Sequence, residues 1–428
     1  MNQAESVTAG IEPSARTVPT HALPHRALGR GFTLLEGVRV IDLTTSVAGP
    51  LATMLLADMG AEVLKIERPI GGDDARAWGP PFLDDESLWF LSVNRNKKSV
   101  ALDYSKPEGL EILKRLVRLA DVVVVNLPPR VARKLKVDAE TLRSLRHELI
   151  YASITGFGLE GERANWTCYD LIAEGYSGVM DLTGAANGEP QKIGAPAADM
   201  LAGQDAAFAV VSSLFGRQRT GTGHVIDISL VDSMTRFLAC RIVPYLGSGD
   251  IPTRSGGKDS VIAVYQSFET ADDPITLGLG NDGIWQRFWE SVEVANLHGM
   301  TTNADRRKHR QDIVATIADI LRQKPRSHWL ALFREARIPA GPINSVDQVV
   351  TDKVLLERGM FYQAANPGGS PIPQVGTGIL VDGASNSPRL MPPRLGDHTD
   401  EVLQGLLGIQ EHELEALAAK AVTKRKLP

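Results

Sequence analysis

Val122, Val123, Val124 and Val125 make a strand with no polar face. Such a strand must be covered on both sides, as the inner strands of a parallel sheet are when helices pack above and below it. The surrounding sequence repeats the theme. Val38 to Leu43, Glu62 to Glu67, Ser99 to Asp103 and Leu149 to Ser153 read as further strands, and helical patterns at Leu51 to Met59, Glu108 to Leu119 and Ala139 to Leu145 separate them. This alternation predicts an α/β fold with a parallel sheet. A long helix of small residues is expected from Met200 to Phe215, then a strand at Val225 to Ser229. Beyond about residue 248 the texture changes, with strands at Ser260 to Phe268 and Pro274 to Leu279, a helix at Asp282 to Val294, and mostly helix to Ala336. The expected division is a large domain over 34–247, a small α+β domain over 248–345 and a C-terminal segment over 346–428 with a helix at Glu411 to Ala421. Residues 1–33 are rich in Ala, Pro, Thr and His and lack an apolar core, so a disordered extension is expected there rather than a secretory signal.

Charge excludes several function classes. The chain carries 46 Lys+Arg against 51 Asp+Glu, a formal charge of −5, which gives no support for a nucleic-acid or membrane-surface partner. No run of about 18 apolar residues occurs, so no membrane span is expected. Cys168 and Cys240 are the only cysteines, which points away from a disulfide framework or a zinc site and toward the cytoplasm. No metal is expected. Basic residues gather near strand ends: Lys65, Arg68, Arg95, Lys97, Lys98, Arg130, Arg133, Lys134 and Lys136. Together they would suit a phosphate-rich ligand.

Motifs narrow the chemistry further. Gly278-Leu279-Gly280-Asn281-Asp282-Gly283 has the spacing of a dinucleotide loop, but no acidic strand end follows; the stretch is Thr301-Thr302-Asn303-Ala304-Asp305. A plain turn is the better reading, and an NAD-dependent oxidoreductase is a distant alternative. G-x-x-x-x-G-K-[ST], H-E-x-x-H and G-x-S-x-G are absent. Asp199, in Gly194-Ala195-Pro196-Ala197-Ala198-Asp199, stands before the long helix, where Asp commonly serves as an N-cap. A helix start also favours an ionised carboxylate and offers N–H groups to an oxyanion.

Longer stretches carry a resemblance. They are Leu35-Glu36-Gly37-Val38-Arg39-Val40-Ile41-Asp42-Leu43, Ala48-Gly49-Pro50, the run from Gly60 to Pro69, Asn94-Arg95-Asn96-Lys97-Lys98-Ser99, Ile338 to Asn344, and Leu395 to Leu403. On these, from about Leu35 to Ala421, the chain resembles the class III CoA-transferases, the family of formyl-CoA transferase and carnitine CoA-transferase. The resemblance implies a Rossmann-like large domain completed by the C-terminal segment, a small domain between, and an interlocked homodimer. It implies an acyl-CoA thioester and a carboxylic acid as substrates, with no tightly bound cofactor. The family's nucleophile falls on Asp199. Arg68, Leu102, Asn126 and Lys134 fall at coenzyme contacts, and Val47, Trp78 and Asp170 at the acyl pocket. The implied route runs through an aspartyl anhydride and an aspartyl-CoA thioester, with Asp199 ionised at neutral pH because a free Asp has a pKa of about 3.9.

Departures refine the expectation. The α-methylacyl-CoA racemases of the same family carry a His before the acidic residue; here it is Tyr169, a poor proton shuttle at neutral pH, so that isomerase is the nearer alternative and the weaker one. The coenzyme loop reads Asn126-Leu127-Pro128-Pro129-Arg130, without the family's usual aromatic. Val47 stands where formyl-CoA transferases carry Gln, and their four-glycine run has only Ser255-Gly256-Gly257-Lys258 as counterpart. A donor other than formyl-CoA is expected.

Overall fold

The structure, a computed structural model, describes residues 23–294, 300–366 and 369–425. Six strands form one sheet: β1 (Arg39–Leu43), β2 (Glu62–Glu67), β3 (Lys97–Ala101), β4 (Val122–Val125), β5 (Ile150–Thr155) and β6 (Val225–Ser229). They lie in the order β3-β2-β1-β4-β5-β6, and every pair is parallel. That is the doubly wound order, and its direction reverses between β1 and β4.

Five helices are central to the sheet: α1 (Ala48–Asp58), α2 (Pro107–Arg118), α3 (Asp170–Ser177), α4 (Ala197–Thr220) and α5 (Leu230–Phe237). Strand alternation sorts their contacts. Val40, Val122 and Val124 face α1 and α4, packing on Ala52, Leu56, Ala202 and Ala206; Ile41, Val123 and Val125 face α2, with Ile112, Leu113 and Leu116. The four valines are fully buried because each face has its own core, at about 1.5–3 kcal/mol per buried side chain. The long helix starts three residues earlier than expected and runs past Phe215 to Thr220, ending on the left-handed Gly221.

A separate apolar core forms from β7 (Tyr265–Phe268), β8 (Ile275–Gly278) and β9 (Ala340–Pro342), an antiparallel sheet, with α6 (Asp282–Ser291), α7 (Arg310–Leu321) and α8 (Arg326–Glu335). Here the G-x-G-x-x-G stretch joins an antiparallel strand to a helix capped by Asn281, so it is a turn and not the opening of a βαβ unit. The chain then returns. Helices α9 (Thr399–Leu407) and α10 (Glu411–Ala419) place Val402, Leu403 and Leu414 in the core on the α2 face, and Thr423 bridges to Leu102 beyond β3.

Two expectations need correction. The extension was expected to be disordered through residue 33, but His25–Arg26 is a strand parallel to Phe361–Ala364, and the Gly29 N–H donates to the Pro388 carbonyl. Residues 1–22 lie outside the described residues. The basic gathering is also split. Lys65, Arg95 and Lys97 are buried against Asp73 (2.8 Å), Asp58 (2.6 Å) and Asp42 (3.0 Å), so they hold the fold together and face no ligand.

Candidate active site

The β1–α1 loop lies at the reversal point of the sheet and is fastened from four sides. Asp42 accepts from the Thr44 N–H (2.9 Å), and Lys65 Nζ donates to the Thr44 carbonyl (2.9 Å). Asn126, at the end of β4, accepts from the Thr45 N–H (3.1 Å) and donates to the Thr45 carbonyl (2.8 Å). Asp73 accepts from the N–H of Ser46, whose φ of 73° is left-handed. These bonds hold Val47, the residue that begins α1, in a buried position. Asp73 also caps the short helix that leads to Trp78, so one carboxylate ties the Trp78 segment to the loop.

Helix α4 crosses α1 closely. A Cβ on Gly203 would lie 2.6 Å from the Ala48 carbonyl oxygen, which only glycine permits. Asp199 stands one turn before Gly203, so it shares that helix face and the Val47 end of α1. It is the third helical residue and not the N-cap; Pro196 occupies the cap and has no side chain to bond with. The capping acceptor comes from elsewhere in the chain. Asp170, at the start of α3, accepts from the N–H groups of Ala198 (2.8 Å) and Asp199 (3.4 Å).

This packing changes the protonation of Asp199. Burial, and then the neighbouring Asp170 carboxylate, push its carboxyl up from 3.8 to about 7. The expectation of a fully ionised residue at neutral pH is therefore corrected: Asp199 titrates there. The folded value lies above the unfolded one, so the ionised group costs stability, fully above about pH 7, progressively less as pH falls, and not at all below about 3.8. Asp199→Asn is expected to be more stable than wild type near pH 8 by roughly 2 kcal/mol after discounting for solvent screening, and so to melt at a higher temperature. The gap should close near pH 4, which paired thermal melts would test.

Sequence reading missed two neighbours. The Cys168 thiol is pushed up to about 11 by burial and then by the Asp199 charge, so it is an inert thiol beside the site. Glu174 is fully buried one turn after Asp170, although Asp170-x-x-x-Glu174 on a helix gives no local sign of burial.

The expected coenzyme residues gather elsewhere. Arg68, just past β2, donates to the Gly72 carbonyl (3.0 Å) and pairs with Asp74 while its guanidinium stays exposed. Its charge reaches Tyr104, whose hydroxyl is pushed up by burial and opposed by Arg68. Tyr104 shares a cavity of about 350 Å³ with Lys134, Lys106, Lys114 and Lys136. Leu102 has its side chain fully buried in the core on the α2 face, so any coenzyme contact at this position would fall to its backbone. Asn126 has its amide occupied by Thr45, so its role in the structure is to secure the loop. Trp78 is partly exposed, edge-to-face with Trp89 at 6.0 Å. The structure therefore brings Val47, Asn126, Asp170 and Asp199 to the reversal point of the sheet, and Arg68 and Lys134 to a basic cluster past β2, β3 and β4.

The sequence profile described as CoA-transferase family III matches residues 35–399. The chain belongs to that family. Among its relatives, succinyl-CoA:glutarate CoA-transferase of Mus musculus is 36% identical over 91% of this chain and 90% of its own length. Succinate--glutarate CoA-transferase of Agrobacterium fabrum is 37% identical over 88% and 96%, and succinyl-CoA:mesaconate CoA-transferase of Haloarcula hispanica 36% over 86% and 95%. A CAIB/BAIF family protein from Brucella suis, of known crystal structure, superposes with a TM-score of 0.77 at 36% identity, covering 88% of this chain and all of that one. This family III CoA-transferase is thus an enzyme that moves coenzyme A between an acyl-CoA and a carboxylic acid. No helix among its described residues is long and apolar enough to cross a membrane.

Proposed function

We propose that this chain transfers CoA from succinyl-CoA to a dicarboxylic acid of glutarate size, with Asp199 as the nucleophile. The observation that carries the reading is the half-buried Asp199 at the start of α4, beside Asp170 and the fastened loop of Val47. The substrate class follows from the relatives, whose names pair succinyl-CoA or succinate with glutarate or mesaconate.

In the first step a carboxylate oxygen of Asp199 attacks the thioester carbonyl. The C–S bond breaks, the thiolate leaves, and a mixed anhydride forms. The thiolate then attacks the Asp199 carbonyl, which expels succinate and leaves an aspartyl-CoA thioester. The acceptor carboxylate attacks that thioester, giving a second anhydride and free thiolate. Thiolate attack on the acceptor carbonyl releases the new acyl-CoA and restores Asp199. Each step exchanges one activated acyl bond for another, so no nucleotide is consumed. The N–H groups of the first turn of α1 would serve as donors to the tetrahedral oxyanions, since those at the start of α4 are taken up by Asp170, Ala195 and Pro196.

Because only the ionised carboxylate attacks, kcat/KM is expected to rise with pH through about 7 and then level off. A profile already flat at about pH 5 would contradict that. The basic cluster suits the phosphates of the coenzyme. Arg68→Ala and Lys134→Ala should each raise KM for the acyl-CoA about tenfold with little change in kcat, which steady-state kinetics would test.

The test of the reading is intact-protein mass after incubation with succinyl-CoA, without and with glutarate. A hydroxylamine-sensitive adduct that glutarate discharges as glutaryl-CoA supports it. Exchange of α-hydrogens with heavy water in place of transfer would move the isomerase forward. We further read the large domain as 34–247, the small domain as 248–345 and the C-terminal segment as 346–428, in keeping with the separate cores. An interlocked homodimer would cover the exposed Phe208, Phe215, Phe237 and Leu246. A cytoplasmic location suits two free cysteines.

A further inference from the structure

Glu174 presents an unanswered valence. The residue is fully buried on α3, in a position where an unpaired charge would be costly. Its Oε2 accepts from the Ile193 N–H (2.8 Å), but its Oε1 is sealed from solvent without a hydrogen-bond partner. One turn earlier on the same helix is Asp170, within hydrogen-bonding reach of Glu174. Two facing carboxylates cannot bond to one another unless one of them carries a proton. Asp170 Oδ1 already accepts two N–H groups at the start of α4, whereas Glu174 Oε1 accepts none and is the oxygen left to carry a hydrogen. The proton therefore belongs on Glu174. Lys192 is the nearby cation opposing this, and its ammonium lies exposed and bonded to the Ile193 carbonyl.

We propose that Glu174 is a positioning residue: neutral, it donates from Oε1 to Asp170 and so fixes the carboxylate that caps α4 beside Asp199. The chain of contacts is short. The Ile193 N–H holds Glu174, Glu174 holds Asp170, and Asp170 holds the two N–H groups that set the direction in which α4 begins. Asp199 is part of that first turn, so its aim depends on a proton two residues removed from the chemistry. Burial first, and with it the Asp170 carboxylate, push the Glu174 carboxyl upward against the opposing Ile193 N–H and Lys192, the net direction the arrangement requires. The consequence for catalysis rests on Asp199 being the nucleophile; the placement of the proton does not.

Glutamine reproduces neutral glutamic acid here, since its carbonyl accepts from Ile193 and its amide donates to Asp170. Glu174→Gln is therefore expected to turn over within about threefold of wild type. Glu174→Ala leaves Asp170 free to swing and should lose roughly thirtyfold in kcat with KM changed less than about twofold, the signature of a misaimed reacting group. A Gln variant as impaired as the Ala variant, or an Ala variant as fast as wild type, would overturn the proposal. If Glu174→Ala does not fold, infrared spectra decide. In an Asp199→Asn background at neutral pH, the protonated-carboxyl stretch should disappear on adding Glu174→Gln; no such difference band overturns the proposal. Should the band be present while wild type forms no adduct with succinyl-CoA, the nucleophile is wrong and the role of Glu174 in holding Asp170 stands.

Discussion

Asp199→Ala is expected to lower kcat by about four orders of magnitude or more, because removal of a covalent nucleophile leaves only binding and oxyanion contacts. The adduct formed with succinyl-CoA should vanish with it. Asp199→Asn sharpens the result. It keeps the size of the side chain and gains stability above neutral pH, since the ionised carboxyl is disfavoured by burial and by Asp170. A variant that is better folded yet inactive separates chemistry from folding. Residual turnover within about tenfold of wild type in either variant would mean that Asp199 is not the attacking group.

The second large effect concerns stability. Lys97→Ala is expected to cost about 3–5 kcal/mol, the usual penalty for breaking a buried ion pair from one side. Lys97 Nζ reaches Asp42 (3.0 Å), the Pro50 carbonyl (2.8 Å) and Asn94 (2.8 Å), with no solvent exposure. Asp42 sits between two ammonium groups. Burial opposes its charge, but Lys97 and Lys65 outweigh that and bring it down to about 2. Lys97 shares its carboxylate with Lys65, so desolvation prevails and brings it down to about 8. The double variant Asp42→Asn/Lys97→Met should recover much of the loss, because it leaves no orphaned charge. Chemical denaturation of the three proteins would measure this, and a Lys97→Ala protein within about 1 kcal/mol of wild type would refute it. The same network underlies the Thr44–Val47 loop, so the destabilised variant should also lose activity.

The large sheet was readable because two-sided burial leaves a mark: uninterrupted valines in β4 and strand–helix alternation around it. Asp199 was readable only through long motifs, since locally it resembles an N-cap. The carboxylate that caps its helix, Asp170, lies 29 residues earlier, beyond any local pattern. The buried cations were misread for the same reason. A lysine at a strand end has one appearance in sequence whether it meets phosphate or aspartate; Lys97 meets Asp42 across 55 residues. Glu174 was overlooked because Asp-x-x-x-Glu on a helix reads as a solvated face, and only the fold encloses it.

The return of the C-terminal segment sets a timetable for biosynthesis. Val402, Leu403, Leu414 and Val422 cover the α2 face of a sheet whose last strand ends at Ser229. A ribosome must therefore translate well over a hundred further residues after the final strand before that face can be sealed. The nascent chain carries a sheet face covered by α2 but not yet by α9 and α10 throughout this interval, a form open to aggregation and to chaperone capture. Premature termination between the small helical core and α9 would give a polypeptide with all six strands of the parallel sheet and none of this cover. Synthesis must pass Val422 before the sheet is closed.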